Sequence, residues 1–491
     1  MNPSNARTLQ AVLRNELSTF IHKTFLTIRP GEHLHLNWHI EALAWHLKQC
    51  VTGNIKRLII TLPPRHLKSI AASVALPAWI LGRDPTRKII CASYSQELAL
   101  KHARDTRAVM EAPWYQALFP HTRLHRDKNS QGEFMTTRLG FRLATSIGGT
   151  LTGRGGNLVI IDDPHKPEEA TSDTQREAVI AWYRSTLLSR LDSKRDDVII
   201  VIQQRLHEAD LAGVLLESGE WVHLDLPAIA EEEQFIPTGE ERTHHRLPGD
   251  CIDPVREPRE VLDRIKAEIG SYAFAAQYQQ RPAPMGGGLL KWEWFKMYEN
   301  PPSPEPFDQI IQSWDCASKA ESLNDYSVGT TWRVRNNQYY LLDVVRDRLE
   351  FPELHRRITS YAKRYQAERV LIEDAGAGTQ LIQSLRRDTD LSVIGITPKD
   401  NKTTRAIAAS ARIEAGRVYI PKEASWLADF QREIANFPNG RHDDQVDSLT
   451  QFVNWIREDR SSGEPSFGAT APLPWIEEWD YLFGTGRGGG W

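Results

Sequence analysis

Two groups of residues in this chain have the types and spacing for phosphate chemistry. The first is Pro63-Pro64-Arg65-His66-Leu67-Lys68-Ser69, which follows the apolar run Arg57-Leu58-Ile59-Ile60-Thr61-Leu62. A loop between a strand and a helix aims backbone N–H groups and a helix N-terminus at an anion. Lys68 would reach the β- and γ-phosphates of a nucleotide, and the Ser69 hydroxyl would take a Mg²⁺. Measured against G-x-x-x-x-G-K-[ST], both glycines are replaced, by Leu62 and Leu67. A complementary element lies further on: Leu158-Val159-Ile160-Ile161 ends in Asp162-Asp163, the shape of a Walker B strand. Asp162 would hold the Mg²⁺ through water, and Asp163 would orient or deprotonate an attacking water. Either element alone is common in α/β proteins; the pair in one domain is not.

The second group is a set of acids. Trp314-Asp315 and Val370-Leu371-Ile372-Glu373-Asp374 each close a short apolar run, and His442-Asp443-Asp444-Gln445-Val446-Asp447 opens a helical one. Asp443 and Asp447 are four apart and Asp444 and Asp447 three apart, so either pair converges on one helical face. Like charges packed this way repel, and a bound divalent cation offsets the repulsion. Two Mg²⁺ or Mn²⁺ ions would activate water and stabilise the leaving oxygen of a phosphodiester. Read singly, each acid is an N-cap or a solvated strand end; Asp443 could simply cap a helix.

These residues need elements to hold them. Residues 9–50 read as helical in two stretches, and Ile70–Leu81 and Gln96–Met110 as helices. The runs at 57–62, 88–92, 157–161 and 197–202 read as buried strands. Strands alternating with helices predict a parallel α/β sheet with ligands at the carboxyl ends of its strands. The Pro- and Gly-rich stretch 281–306 reads as linker. Beyond it, Gln309–Trp314 starts a second module, and the runs 326–334 and 338–344 around Arg335-Asn336-Asn337 predict a hairpin. Helices are expected near 352–366 and 443–457, and a loosely ordered Ser-, Gly- and Pro-rich tail from Arg460.

Composition bounds the class. The chain has 491 residues, 40% hydrophobic and 25% charged, enough to bury more than one core and far from a disordered composition. No apolar run approaches the roughly 18 residues of a membrane span, and the polar N-terminus lacks the h-region of a secretory signal. Four cysteines far apart imply no disulfide framework, so a soluble protein of a reducing compartment is expected. Net charge is −4, which does not advertise nucleic-acid binding. Yet Lys101 to Arg154 carries nine Lys/Arg against four Asp/Glu, while Glu217 to Glu241 carries eight acids and no Lys or Arg. These are two solvated faces, or a first domain with one phosphate-facing side.

At this point a family resemblance emerges. Pro63-Pro64-Arg65-His66-x-Lys68-Ser69, Thr152-Gly153-Arg154-Gly155-Gly156-Asn157, Ile161-Asp162-Asp163-Pro164, Gln204-Arg205-Leu206-His207-Glu208-Ala209-Asp210-Leu211 and Ala276-Gln277-Tyr278-Gln279-Gln280-x-Pro282 resemble, in order, the large terminase subunit of tailed bacteriophages. The resemblance spans about residues 30 to 457. It implies a P-loop-type ATPase domain with a parallel sheet (1–280), a linker (281–306), an RNase H-like nuclease domain with a mixed sheet (307–459) and a flexible tail (460–491). Position by position, it makes Lys68 and Ser69 the Walker A pair, Asp162 the Walker B acid and Asp163 the catalytic acid in place of the usual Glu. Arg65 and His66 belong to the nucleotide loop, and Gln203-Gln204 matches a coupling motif. His39 falls in a region that contacts adenine. Asp315 and Glu373 become metal ligands, completed by Asp443 or Asp444 and by Asp447. Lys402 and His442 lie near that site, and Asp374 is a spare acid. The arginine finger stays open among Arg104, Arg107, Arg138 and Arg154.

The function implied is a DNA-packaging motor. ATP hydrolysis would drive double-stranded DNA into a procapsid, and a nuclease using Mg²⁺ or Mn²⁺ would cut the concatemer. The implied partners are DNA, a small terminase subunit, the portal protein and further copies of the chain in a ring, a pentamer by family behaviour. The place is the host bacterial cytoplasm, transiently at the portal, with no membrane. Two other readings share the residues: a cellular helicase or translocase with a nuclease, and a degenerate protein that holds DNA or portal without hydrolysing ATP. Leu67 bears on the last, because it stands where glycine would allow a positive φ.

Overall fold

The computed structural model describes residues 3–149, 151, 153–282, 289–316, 326–440 and 442–461. Thr152 of the glycine-rich motif, linker residues 283–288 and the tail from 462 lie outside the described residues.

Three helices, Pro3–Asn15, Leu17–Ile28 and Trp38–Val51, lead into the first sheet. Its strands are β1 (Arg57–Thr61), β2 (Lys88–Ser93), β3 (Leu124–Asn129), β4 (Glu133–Thr136), β5 (Phe141–Ser146), β6 (Leu158–Asp162), β7 (Val198–Gln203) and β8 (Val222–Asp225). They lie in the order β3-β4-β5-β2-β6-β7-β1-β8. From β5 to β8 all pairings are parallel, whereas β3 and β4 add an antiparallel edge that the apolar runs do not announce. Every residue of β6 and β7 is buried, which is why both read as unbroken Val/Ile runs: helices cover both sides of a parallel sheet. The order β6-β7-β1 brings Asp162, Gln203 and the loop after Thr61 to the carboxyl ends of three adjacent strands.

A small hairpin of β9 (Gln234–Pro237) and β10 (Thr243–Arg246) follows, then the helix Arg259–Gln277. The second sheet contains β11 (Lys296–Tyr298), β12 (Gln309–Asp315), β13 (Ser327–Arg335), β14 (Gln338–Asp347), β15 (Arg369–Glu373), β16 (Val393–Ile396) and β17 (Val418–Pro421), in the order β11-β17-β14-β13-β12-β15-β16. The β12-β13-β14 meander is antiparallel and its flanking pairings are parallel, a mixed sheet as expected. Asn336 and Asn337, both at positive φ (46° and 64°), make the two-residue turn between β13 and β14. That geometry matches the twist of a hairpin and favours asparagine.

The linker is shorter than 281–306. Leu289, Leu290 and Phe295 are buried in the core of the second domain, and β11 pairs with β17 at its edge. Prolines and glycines on either side mask this short apolar segment in the sequence.

The last helix, Asp444–Ser461, lies across β12 and β13 and is stitched to them by buried polar groups. The Ser313 hydroxyl donates to Ser448 O and the Ser448 hydroxyl to Ser313 O, each at 2.8 Å, while Gln451 Nε2 donates to Ser313 Oγ at 2.9 Å. Paired donors and acceptors in a dry interface tolerate no slip in register, so Asp447 is set beside the end of β12. Under the same sheet, Trp314 lies over its cross-strand partner Gly329; a Cβ there would come within 2.6 Å of the indole. Gly329→Ala should therefore overpack a rigid, fully buried tryptophan and cost about 1–3 kcal/mol. A thermal midpoint equal to the parent's would show that the ring moves aside freely.

Candidate functional site

The loop between β1 and the next helix turns through the left-handed region twice despite its missing glycines. Arg65 and Leu67 both take positive φ, 65° and 62°, at a cost of about 1–2 kcal/mol each for an L-residue. Leu67 is held there because its side chain packs against the first core. His66 is fully buried behind the loop. Its Nδ1 lies 2.9 Å from the Pro64 carbonyl and its Nε2 3.1 Å from Arg256 Nη2, while Arg256 Nη1 donates to Arg65 O at 2.6 Å. A neutral ring donating at Nδ1 and accepting at Nε2 satisfies both contacts, and burial lowers the His66 pKa well below its usual value. His66 thus shapes the loop from behind, whereas Arg65 is exposed on it.

Lys68 and Ser69 turn toward the end of β6. Lys68 Nζ lies 3.1 Å from Asp163 Oδ2. The Ser69 hydroxyl donates to Asp162 Oδ1 at 3.0 Å, and the Ser73 hydroxyl to Oδ2 at 2.6 Å. Residues Ile70–Ala75 form a π-helical turn before the α-helix Leu76–Arg83; such turns cluster at functional sites. The Ser73 carbonyl takes donors from outside its helix, Arg142 Nη2 at 3.2 Å and Thr106 Oγ1 at 3.3 Å. Asp162 and Arg142 have no solvent exposure at all. Burial raises the Asp162 pKa, while the Ser73 hydroxyl, Lys68, Ser69 and Arg142 pull it back down. Burial likewise raises Asp163, with Lys68 opposing.

The Asp163 backbone is fixed between two strands: its N–H donates to Ile202 O at 2.9 Å and its carbonyl accepts from Tyr94 N at 3.1 Å. Its φ of 44° is one that aspartate tolerates. The Gln204 N–H donates to Asp163 Oδ1 at 3.2 Å, so the segment after β7 contacts the acid directly. A serine hydroxyl and a carboxylate meeting at one point beside an ammonium fit a Mg²⁺–nucleotide: hard oxygen donors for the ion, a cation for the phosphates.

Two motifs prove to be structural clamps. Arg205 Nε reaches both oxygens of Asp210 at 2.9 and 3.0 Å, and Asp210 caps the helix Leu211–Leu216 through Gly213 N at 2.9 Å. Gln279 brackets the Ile229 backbone, accepting from its N–H and donating to its carbonyl at 3.0 Å, and Gln280 Oε1 accepts from Arg205 N at 2.9 Å. Sequence reading missed Ser73, His102 and Arg142 around Asp162. The signal was present: an arginine within the apolar run Phe141-Arg142-Leu143-Ala144 is out of place unless it has a buried partner.

In the second domain Glu373, Asp443 and Asp447 pair with two cations on the helix Lys402–Glu414, and Asp315 feels the charges of Asp447, Glu373 and Lys402. Lys402 Nζ lies 2.8 Å from Asp443 Oδ1 and 2.6 Å from Asp447 Oδ2. Arg405 bridges Glu373 Oε2 at 2.9 Å and Asp447 Oδ1 at 3.1 Å. Burial pushes the Asp447 pKa up to about 6, with Lys402 opposing. Burial, then the charges of Asp447 and Glu373, raise Asp315 well above the usual carboxylate range. Asp444 does not join Lys402; after burial, its neighbours Glu433 and Asp443 raise its pKa. Asp374 accepts from Thr379 Oγ1 at 2.7 Å instead. The acids fit a hard divalent ion in type. Among the described residues, though, no three acids or histidines close into a metal-holding group, and Lys402 and Arg405 stand among them. Arg405, three residues from Lys402 and so on the same face, was not foreseen.

A family profile described as the terminase RNase H-like domain matches residues 312–455. Among solved structures, the large terminase of a thermophilic bacteriophage superposes with a TM-score of 0.51 at 11% identity, over 87% of this chain and 100% of that one. The same phage protein in complex with ADP gives 0.51 at 11% identity over 86% and 99%, and in complex with ATP-γ-S 0.50 at 12% over 85% and 98%. No curated protein sequence matches the chain.

Removing Ser73's hydroxyl leaves one oxygen of a buried carboxylate without its donor. Ser73→Ala should cost about 1–3 kcal/mol of stability, and Ser73→Thr should recover much of it; an unchanged midpoint in the alanine variant would mean that Oδ2 does not depend on Ser73. A second test is pH. Burial lowers the pKa of His165 to about 4, and its Nε2 accepts from Leu211 N at 2.8 Å; burial also lowers His39 to about 4 and His102 to about 3. Unfolded histidine titrates near about 6.5, so between there and about 4 the folded chain binds fewer protons and stability falls as pH falls. The thermal midpoint should drop across that window, and His165→Gln should flatten part of the drop. A midpoint constant with pH would contradict the buried neutral histidines.

Proposed function

We propose that this chain, whose residues 312–455 match a terminase RNase H-like domain and whose fold resembles that of a large terminase, is a viral DNA-packaging motor subunit. The observation that carries the reading is the union in one chain of two sites. Lys68, Ser69, Asp162 and Asp163 converge at the carboxyl ends of a parallel sheet, and Asp315, Glu373, Asp443 and Asp447 cluster in the matched domain.

In the first site Lys68 would turn from Asp163 to the nucleotide phosphates, and Ser69 and Asp162 would hold Mg²⁺. Arg65 extends the cradle. Mg²⁺ held there would supply positive charge against the charge developing on the transferred phosphoryl group. Freed of Lys68, Asp163 orients water for attack and takes up its proton. Gln204, whose N–H holds Asp163, passes the state of that acid to the end of β7. ATP hydrolysis so supported drives double-stranded DNA into a procapsid. In the second site Asp315, Glu373, Asp443 and Asp447 would hold Mg²⁺ or Mn²⁺ once Lys402 and Arg405 shift off the carboxylates they now bridge, and the ions would supply activated water for cutting the DNA. The partners on this reading are DNA, a small terminase subunit, the portal protein and a ring of copies. The place of action is the host bacterial cytoplasm and, in passing, the portal. No helix among the described residues is long and apolar enough to cross a membrane.

The test separates the two sites. DNA-stimulated ATPase and Mn²⁺-dependent cleavage of plasmid should both appear in the parent. Lys68→Ala should lower the ATPase rate by about 100-fold or more and spare cleavage. Asp315→Asn should abolish cleavage and spare ATPase. Cleavage surviving in Asp315→Asn would remove the acids from the reaction, and ATPase surviving in Lys68→Ala would remove the loop.

A further inference from the structure

Beside the acids, a second group of side chains converges from three separate elements. Tyr326 lies at the entry to β13. The Arg346 guanidinium stands 4.1 Å and that of Arg348 4.5 Å from the centre of its ring. The His442 ring meets the same tyrosine edge-on at 5.5 Å, and His442 is followed directly by Asp443. The strand register ties this group to the carboxylates. Asp315 pairs with Val328, and Val328 pairs with Arg346. Directly paired residues of antiparallel strands project to one side of a sheet, so Arg346 and Asp315 share a face two strands apart, at about 10 Å.

Two guanidiniums on one ring repel each other, and their charges are unequally answered. Arg346 has Glu433 at 3.7 Å, but that carboxylate already accepts from Gln445 N and Nε2 at 2.6 and 2.7 Å, and Arg346 Nε is buried without a hydrogen-bond partner. Arg348 is exposed and has no ion pair among the described residues. A stacked arginine keeps its fork of N–H donors pointing outward along the ring plane, the geometry that takes a phosphate in two hydrogen bonds. The geometry points to a phosphate grip: Arg348, with Arg346 and Tyr326 as its platform and His442 at the ring edge, holds a backbone phosphate of the DNA strand next to the one presented to Asp315. The chemistry is sequence-blind, because a phosphodiester carries no base information. It adds a DNA contact to the second domain, away from the basic stretch 101–154. The inference rests on the proposed reading of DNA as the substrate.

The experiment measures binding apart from cutting. Full-length protein is titrated against a fluorescent duplex in Ca²⁺, over a series of KCl concentrations, for the parent, Arg348→Gln and Arg348→Lys. Each neutralised phosphate contributes about 0.9 to the slope of log K against log salt. Arg348→Gln should lose about that much slope and bind several-fold more weakly at low salt, while Arg348→Lys keeps the slope. In Mn²⁺, Arg348→Gln should raise KM for cleavage and leave kcat within about twofold, because a neighbouring phosphate is held alike in ground and transition states. An unchanged slope and affinity in Arg348→Gln would overturn the grip, as would an equal loss in Arg348→Lys. The two readings fail separately. A parent that cuts DNA with Arg348→Gln unaltered loses only the grip, whereas a parent that binds with the expected slope and never cuts loses only the nuclease.

Discussion

Asp162 has no contact with solvent, and a carboxylate in that position stays charged only if donors and cations surround it. Transferring an isolated carboxylate into a low-dielectric interior costs far more than a domain's whole stability. Here each oxygen takes a serine hydroxyl, and the charges of Lys68 and the fully buried Arg142 favour the carboxylate. Much of the first domain follows from that requirement. The π-turn after Ser69 lets Ser73 reach the second oxygen. The parallel order β6-β7-β1 puts the loop after β1 within reach of the end of β6. Arg142 has to come from a neighbouring strand, and β5 is parallel to β2, which lies beside β6.

The second domain meets the same problem with the same materials. Burial makes both Asp315 and Asp447 harder to ionise, and the charges of Asp447 and Glu373 add to it for Asp315 and that of Asp443 for Asp447. Lys402 and Arg405 answer that charge from the start of one helix. A pair of like charges is tolerated at such an end only with a compensating cation, whether an ammonium, a guanidinium or a metal ion. Each site thus holds a cation of the chain where its proposed ligand brings a cation of its own. Exchange between the two would keep local charge nearly constant and avoid baring a buried carboxylate.

What could be read from sequence follows from how local each signal is. Buried parallel strands announce themselves as Val/Ile runs, so β1, β2, β6, β7, β12 and β15 were legible almost to the residue, and the asparagine turn between β13 and β14 is visible because only a few residues accept positive φ in succession. The edge strands β3 and β8 and the four-residue β4 beside β3 were not, because their polar or short runs lack a buried apolar stretch. Acids at strand ends were legible as chemistry, but the groups that neutralise them were not, since Arg142 and Arg405 come from elements whose placement depends on the tertiary fold. Leu67 is the converse case. The glycine pattern argues against a phosphate loop, yet the leucine takes positive φ because burying its side chain offsets the backbone cost. His66 looked like a loop ligand and is a buried prop, a distinction that only burial can make.

The two sites also share a support. The segment after Asp163 runs to Thr171, whose hydroxyl lies 2.8 Å from Thr404 Oγ1 and accepts from Asn401 Nδ2 at 2.9 Å. Asn401 caps the helix that carries Lys402 and Arg405, accepting from Thr404 N at 2.9 Å. The far end of that helix is held by Glu414, which accepts from Ser271 N at 2.8 Å, one residue after the kink at Gly270. There the φ of 82° and a neighbouring Ala411 backbone 3.3 Å from any added Cβ leave room only for glycine. A helix pinned at both ends by the first domain cannot set its cations by its own domain's packing alone. The position of Lys402 and Arg405 among the carboxylates is therefore fixed jointly by both halves of the chain, and the loop that begins at Asp163 of one site ends on the cap of the helix that serves the other.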